Sequence, residues 1–293
     1  GLGKVIKSAA GILVTNSHDN IISHNDIADL YYTGISVGWT WGYNENYKYS
    51  PTVRNTIAFN HIHHIGWGIT SDMGGIYTLG ESPGTIINNN IIHDIHSYDY
   101  GGWGIYPDEG SSYLTIKNNL VYNCKNGGFH QHYGKSNLVE NNIFANGTFY
   151  QLQFTRPENH LSFVFKHNIV YQTGGMTLSG KWAEGNIDMN NNLYYSTTQA
   201  VNFAGKSWKE WQRLHDKHSI IANPMFADID NADFTPLNTN ATNKINFQSI
   251  DFSQCGVYGD SAWKKNATTR NAALDVPFKK STQRITRNRE LFK

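Results

Sequence analysis

Apolar positions over the first two hundred residues come in short runs, rich in Ile, Val, Phe and Tyr, with polar and Gly positions between them. The runs are too short for helices and read as strands. A tripeptide marks the end of one run and the start of the next. It stands as Asn25-Asp26-Ile27, Asn60-His61-Ile62, Asn89-Asn90-Ile91 and Asn118-Asn119-Leu120. It continues as Asn141-Asn142-Ile143, His167-Asn168-Ile169 and Asn191-Asn192-Leu193. The steps between copies are 35, 29, 29, 23, 26 and 24 residues. A unit of that length, repeated, is a coil of a solenoid, with extra residues leaving as corner loops.

The pattern predicts an all-β chain folded as a right-handed parallel β-helix. Ile62, Ile91, Leu120, Ile143, Ile169 and Leu193 are expected to stack inside, one per coil. Asn at one corner can take left-handed geometry and share amide bonds with the coils above and below. A leucine-rich repeat is the structural rival, but it requires a tighter, Leu-dominated period. The expected organisation is 1–205 as coils, 206–278 as a C-terminal cap packing on them, and 279–293 as a basic tail. Ser207-Trp208-Lys209-Glu210 is a capping box, so a short helix is expected near 207–216. Residues 219–260 read as irregular chain and short strands that cap the solenoid.

Composition narrows the class. The 293 residues include 34 Asn, 27 Gly and 13 His, with 16% charged and 13% aromatic. The aromatic content argues against disorder. No run approaches the roughly 20 apolar residues of a membrane span. The net charge of +1 argues against a protein built around nucleic acid, which would require a basic face. Cys124 and Cys255 cannot staple a chain of this size.

Candidate chemistry follows from aligning the third strand of each coil on its Gly: Gly34-Ile35, Gly68-Ile69, Gly104-Ile105 and Gly128-Phe129. With the apolar residue inward, Asp72, Tyr106, Asp108, His130 and His132 face outward. Asp72 and Asp108 are then expected one coil apart, with carboxyls roughly 5 Å from each other. Paired carboxylates at that spacing suit glycoside hydrolysis. Trp67, Tyr77, Trp103 and Tyr106 crowd the same region, and aromatic rings pack on sugar faces. Glu81, Glu109, His130, His132 and Arg156 are further candidates for substrate contact. A solvated surface pair is the bland reading of two such acids. His61, His63, His64, His93 and His96 cluster in sequence, but none matches His-Glu-x-x-His; hydrogen-bonded histidines, and no metal, are expected.

Ser71-Asp72-Met73-Gly74-Gly75-Ile76-Tyr77-Thr78-Leu79-Gly80, Tyr100-Gly101-Gly102-Trp103-Gly104-Ile105-Tyr106, Asp108-Glu109-Gly110 and Gly128-Phe129-His130-Gln131-His132-Tyr133-Gly134, with Asn223-Pro224-Met225-Phe226 near the end, carry a likeness. Together they resemble β-helix proteins of glycoside hydrolase family 141, over about residues 11–260. The resemblance implies α-L-fucosidase or xylanase activity on cell-wall glycans, with Asp72 and Asp108 at the catalytic positions and no cofactor. Family proteins extend further at the N-terminus, so an upstream segment is expected to complete the β-helix. The expected partner is a plant or algal cell-wall polysaccharide or oligosaccharide. The expected location is secreted or periplasmic, from that substrate class. Two alternatives stand beside hydrolysis. One is a polysaccharide lyase acting on uronates, with His130, Tyr106, Lys135 and Arg156 available and Ca²⁺ as its cofactor. The other is a β-helix that binds carbohydrate without cleaving it.

Overall fold

A computed structural model describes residues 2–43 and 51–290, with only the backbone path given for residue 2 and for 284–290. The chain winds as a parallel β-helix with three sheets, two of seven strands and one of eight. The first sheet runs from Ile12–Val14 through Ile35–Val37, Gly74–Thr78, Trp103–Pro107, Phe129–Gln131 and Tyr150–Phe154 to Met176–Gly180. The second begins at Ile21–Ser23 and ends at Ile187–Asn190. The third begins at Asp26–Leu30 and ends at Ile220–Ile221.

The corner between the second and third sheets explains the Asn excess. Two adjacent positions divide the work. The first takes left-handed backbone: His24, Phe59, Asn89, Asn118, Asn141, His167 and Asn191 have φ between 53° and 57°. The second forms the ladder. Asn25, Asn60, Asn90, Asn119, Asn142, Asn168 and Asn192 are joined by amide bonds of 2.9 to 3.2 Å. The ladder ends where Asn192 Nδ2 donates to Asp216 Oδ1 at 3.3 Å and Ser219 Oγ accepts from the Asn192 N–H at 2.6 Å. Each amide also donates to backbone carbonyls at the corner; Asn142 Nδ2 meets Ile116 O and Glu140 O at 3.1 and 3.0 Å. The six from Asn60 to Asn192 are fully buried, where unpaired polar groups are costly.

The interior stack of the third sheet lies one residue beyond most of the expected positions. Ile62 is inside, and it pairs with Ile92, not Ile91. The inward row continues as Val121, Phe144, Val170 and Tyr194. Ile91, Leu120, Ile143, Ile169 and Leu193 point outward. The last four are buried all the same, because Phe234, Ala241, Ile245 and Phe247 of the C-terminal segment cover them. Alternation decides this: the ladder Asn is turned inward to reach its neighbours, so the next side chain faces out.

The first-sheet alignment also shifts in one coil. Ile35 pairs with Ile76, and Ile76 with Ile105. The residue aligned earlier, Ile69, is 40% exposed and lies outside any strand. Two Gly-Ile pairs compete in this coil, and Gly75 is the one that must be Gly. A Cβ there would lie 2.5 Å from Ile92 Cγ2, as one at Gly34 would lie 2.6 Å from Ile62 Cγ2 and one at Gly104 2.0 Å from Val121 Cγ1.

Beyond the coils, helix Trp208–Leu214 starts on Ser207, whose side chain and Glu210 form the reciprocal capping box. Trp211 is buried beneath it. Further on, Thr239–Lys244 is a helix where irregular chain was expected, and Ser261–Ala272 and Asp275–Glu290 are two more, the last running from the cap into the stretch expected as a basic tail. The last of them seats Phe278 against His64 and Trp67. The side chains of Arg284, Arg287 and Arg289, and residues 291–293, lie outside the described residues.

The two corner positions should respond differently to substitution. Asn142→Ala strands buried donors and acceptors on both sides and should cost about 3 kcal/mol or more. Asn191→Gly keeps the left-handed backbone and should cost no more than about 1 kcal/mol. Urea denaturation midpoints of the two variants check this; equal losses would remove the ladder from its structural role.

Candidate active site

The outer face of the first sheet carries one continuous row. Ser36, Tyr77 and Tyr106 are in register, and so are His130, Gln153 and Ser179. Their inward neighbours Ile35, Ile76, Ile105, Phe129, Leu152 and Leu178 fill the core. The row is aromatic at its centre. Tyr106 stacks on His130 with centroids 4.8 Å apart, and Tyr77 meets Tyr106 edge-on at 5.2 Å. Trp103 closes the group, 4.2 Å from Tyr106 and 4.3 Å from His130. Its indole N–H donates to Gln153 Oε1 at 2.8 Å.

Asp72 and Asp108 meet at this row from opposite ends of two adjacent strands. Asp72 sits in the turn before Gly74–Thr78, with φ of 56° and its N–H donating to Tyr100 O at 3.0 Å. Asp108 follows Trp103–Pro107, and its N–H donates to Thr78 O at 3.0 Å. The two are therefore not stacked at one register position, as the sequence alignment implied. They converge because Tyr106 reaches toward both: its hydroxyl donates to Asp72 Oδ1 at 3.1 Å and also faces Asp108.

Their surroundings differ. Asp108 is 4% exposed. Tyr77 Oη donates to its Oδ2 at 2.7 Å, and His132 Nδ1 lies 2.9 Å from its Oδ1. Burial would raise the Asp108 carboxyl, but hydrogen bonds led by those from His132 and Tyr77 outweigh it and hold the group below the ordinary carboxylate range. Asp72 is half-buried. Burial raises it, the Asp108 charge raises it further, and hydrogen bonds from Tyr106 and Tyr100 do not compensate. Neighbouring carboxyls driven in opposite directions are the arrangement that supplies one acid and one base at the same pH. His130 is pushed down to about 3 by burial and by the His132 charge, so it is a neutral ring; its Nε2 meets Thr155 Oγ1 at 3.0 Å.

The other expected residues divide into two groups. Glu81, Glu109 and Arg156 form a charged rim on the Asp108 side. Arg156 lies over the Tyr133 ring at 4.0 Å, Tyr133 Oη donates to Glu109 Oε2 at 3.3 Å, and Lys135 Nζ meets Glu81 Oε1 at 3.2 Å. Tyr133 in turn touches the His132 ring edge-on at 5.0 Å. Trp67 is elsewhere: it is buried under Phe278, and its indole N–H donates to His64 O at 2.9 Å. Gln153 and Thr155 were missed, although the register from Phe129 to Leu152 would have found them. Tyr32, whose hydroxyl is raised by burial and then by Asp72, carries no sequence signal, because it precedes its strand in a turn.

A family model described as "Right handed beta helix region" matches residues 4–164, more than half of the chain. The chain belongs to this right-handed β-helix family. No curated protein matches the sequence. Among solved structures, this β-helix is similar to a "Glycoside hydrolase" at 31% identity, over 41% of this chain and 19% of that one, with a TM-score of 0.35. It thus spans about a fifth of that protein's length. It is also similar to a mannuronic-acid-specific polysaccharide lyase of family 6 from human gut microbiota, at 12% identity, over 89% and 70% of the two chains, with a TM-score of 0.42. Among the described residues no helix is long and apolar enough to cross a membrane.

The opposite shifts have a stability signature. A carboxyl raised in the fold favours its protonated form, so the Asp72 contribution weakens as pH rises from the unfolded value through the folded one. A carboxyl held low does the reverse, so the Asp108 contribution is present above the unfolded value and is lost as pH falls through the folded one. At pH 7 Asp72→Asn should therefore raise the melting temperature. Asp108→Asn should lower stability by about 1–3 kcal/mol, because it turns an amide toward buried donors. Thermal denaturation at pH 7 reads both signs, and a stabilising Asp108→Asn would contradict the arrangement.

Proposed function

We propose that this β-helix is a glycoside hydrolase acting on a plant or algal cell-wall polysaccharide or its oligosaccharides, in the manner of a fucosidase or xylanase. The observation that carries the reading is the divergent pair: two carboxyls gathered at one tyrosine hydroxyl, one raised and one lowered, on an aromatic face. Asp72, the raised and more accessible group, gives its proton to the glycosidic oxygen as the bond to the anomeric carbon breaks. Asp108, held ionised by His132 and Tyr77, faces the positive charge that develops on the sugar and acts as nucleophile or as base for water. Trp103, Tyr77 and Tyr106, expected to line the sugar, are buried beneath the pair instead, and the two tyrosine hydroxyls hold the carboxyls in place. Glu81, Glu109 and Arg156 lie at the rim, where a second sugar unit would reach. Such a substrate places the protein in a secreted or periplasmic setting.

A second reading rests on the rim cations. Arg156 and Lys135 stand on the Asp108 side, where they could neutralise a uronate carboxylate, and β-elimination from a uronate would then compete with hydrolysis.

One assay separates the readings. A panel of cell-wall oligosaccharides is incubated with the protein, and products are followed as reducing ends and as ultraviolet absorbance of an unsaturated sugar. Hydrolysis predicts new reducing ends without absorbance, and a drop of about 10²–10⁴-fold for Asp72→Asn and for Asp108→Asn. The rate should fall at high pH as Asp72 ionises and at low pH as Asp108 is protonated. Absorbance at the unsaturated product would move the assignment to a lyase. Tight binding with an intact glycan would make the face a binding surface. Full activity in both variants would remove the pair from the chemistry.

A further inference from the structure

The outer face of the third sheet holds a second cluster that the carboxylate site does not use. Asp26, His61, His63 and His93 come from three successive strands. Asp26 is in register with His61, and His63 with His93. His61, His63 and His93 each offer a ring nitrogen, and these atoms lie within 4.8 Å of one another. His61 Nε2 and His93 Nε2 face each other at 2.9 Å. Asp26 places one oxygen 3.3 Å from His61 Nδ1 and the other 3.3 Å from His63 Nε2. In a tetrahedral site with bonds of roughly 2.0–2.1 Å, ligand atoms stand about 3.3 Å apart. The His61–His93 spacing is already close to that, while Asp26 meets the opposite, Nδ1 edge of the His61 ring.

Two features mark the cluster as more than packed histidines. His93 Nδ1 is bonded to Asp94 Oδ2 at 2.6 Å, which fixes the ring and leaves Nε2 bare, the usual outer support of a metal-bound imidazole. Asp26 is itself held by Asn271 Nδ2 at 2.8 Å.

We infer that His61, His63 and His93 form a binding site for a divalent transition-metal ion of the Zn²⁺ class, with Asp26 supporting the His61 ring through its other nitrogen. Three imidazoles suit Zn²⁺, Co²⁺ or Ni²⁺ and are poorly matched to Ca²⁺ or Mg²⁺. Asn271 and Asp275 belong to the two C-terminal helices, so an ion here would pin those helices to the third sheet. The site is on a different sheet from Asp72 and Asp108 and is independent of the proposed hydrolysis.

The test uses untagged full-length protein, stripped with a chelator and titrated with Zn²⁺ by calorimetry, with Co²⁺ absorbance as a reporter of tetrahedral geometry. One equivalent is expected, with a rise in melting temperature. His61→Ala and His93→Ala should abolish the uptake, Asp94→Asn should weaken it about 10–100-fold, and Asp72→Asn should leave it unchanged. His61 is only partly buried, so its variant should keep the far-ultraviolet dichroism of the parent; were it to unfold, Asp94→Asn decides the matter. Uptake below one equivalent in the parent, or uptake indifferent to these substitutions, overturns the assignment.

Discussion

Everything in this fold hangs on one corner amide. A parallel solenoid has to turn sharply between sheets, and each turn carries backbone groups into the interior, where they need partners. Here the buried Asn side chain answers both sides at once. It gives its N–H groups to carbonyls of its own and the preceding coil, and its oxygen accepts from the Asn one coil back. Because each amide must meet the next, coils can vary in length but not in register at this corner. That is why steps as unequal as 35 and 23 residues can still stack. It is also why bulky residues such as Phe59 and His167 tolerate left-handed backbone just before the ladder position.

Register at the corner passes to the first sheet through the Gly that begins each strand there. Those glycines bring the chain close to an inner side chain of the third sheet. The next residue then fills the core and the one after it faces out. Tyr77, Tyr106 and His130 become neighbours in this way, and Tyr106 can gather two carboxyls that the backbone alone would hold apart. The electrostatic asymmetry is local. Asp108 lies under a tyrosine and a histidine that donate to it, whereas Asp72, with fewer donors, feels burial and its neighbour's charge.

The solenoid was legible in the sequence because its signal is repeated and chemical: Asn, then an apolar residue, at every coil. The inward stack was misplaced by one residue because the outward residues Leu120, Ile143, Ile169 and Leu193 are apolar too. Hydrophobic pattern marks burial, and it does not say whether the core or a covering segment does the burying. In the coil holding Asp72, Gly68-Ile69 and Gly75-Ile76 fit the template equally well; only the space at Gly75 decides between them. Asp72 and Asp108 were still singled out as a pair, through their aromatic surroundings and the family likeness, while the strand alignment that joined them did not hold. Trp67 shows the opposite failure: an aromatic near the site in sequence is turned to the other side by a helix more than two hundred residues later.

The third sheet's outer face explains where the C-terminal segment goes. Along one register position the residues run Asp26, His61, Ile91, Leu120, Ile143, Ile169, Leu193 and Ile220. The row is polar at the start of the solenoid and apolar thereafter. The returning chain matches it in kind. Phe234, Ile245 and Phe247 lie on the apolar stretch, Asn271 meets Asp26 in the polar one, and Asp275 meets His64 beside it. An apolar row of that length left open would be a surface for self-association, so covering it is a condition of the coils' solubility. At the polar end there is little apolar area to hold the last two helices: Ser261–Ala272 buries no side chain fully. Their attachment must come from Phe278 and from polar contacts to Asp26 and His64. A bound ion would strengthen the fold most at that end, where the hydrophobic contribution is least.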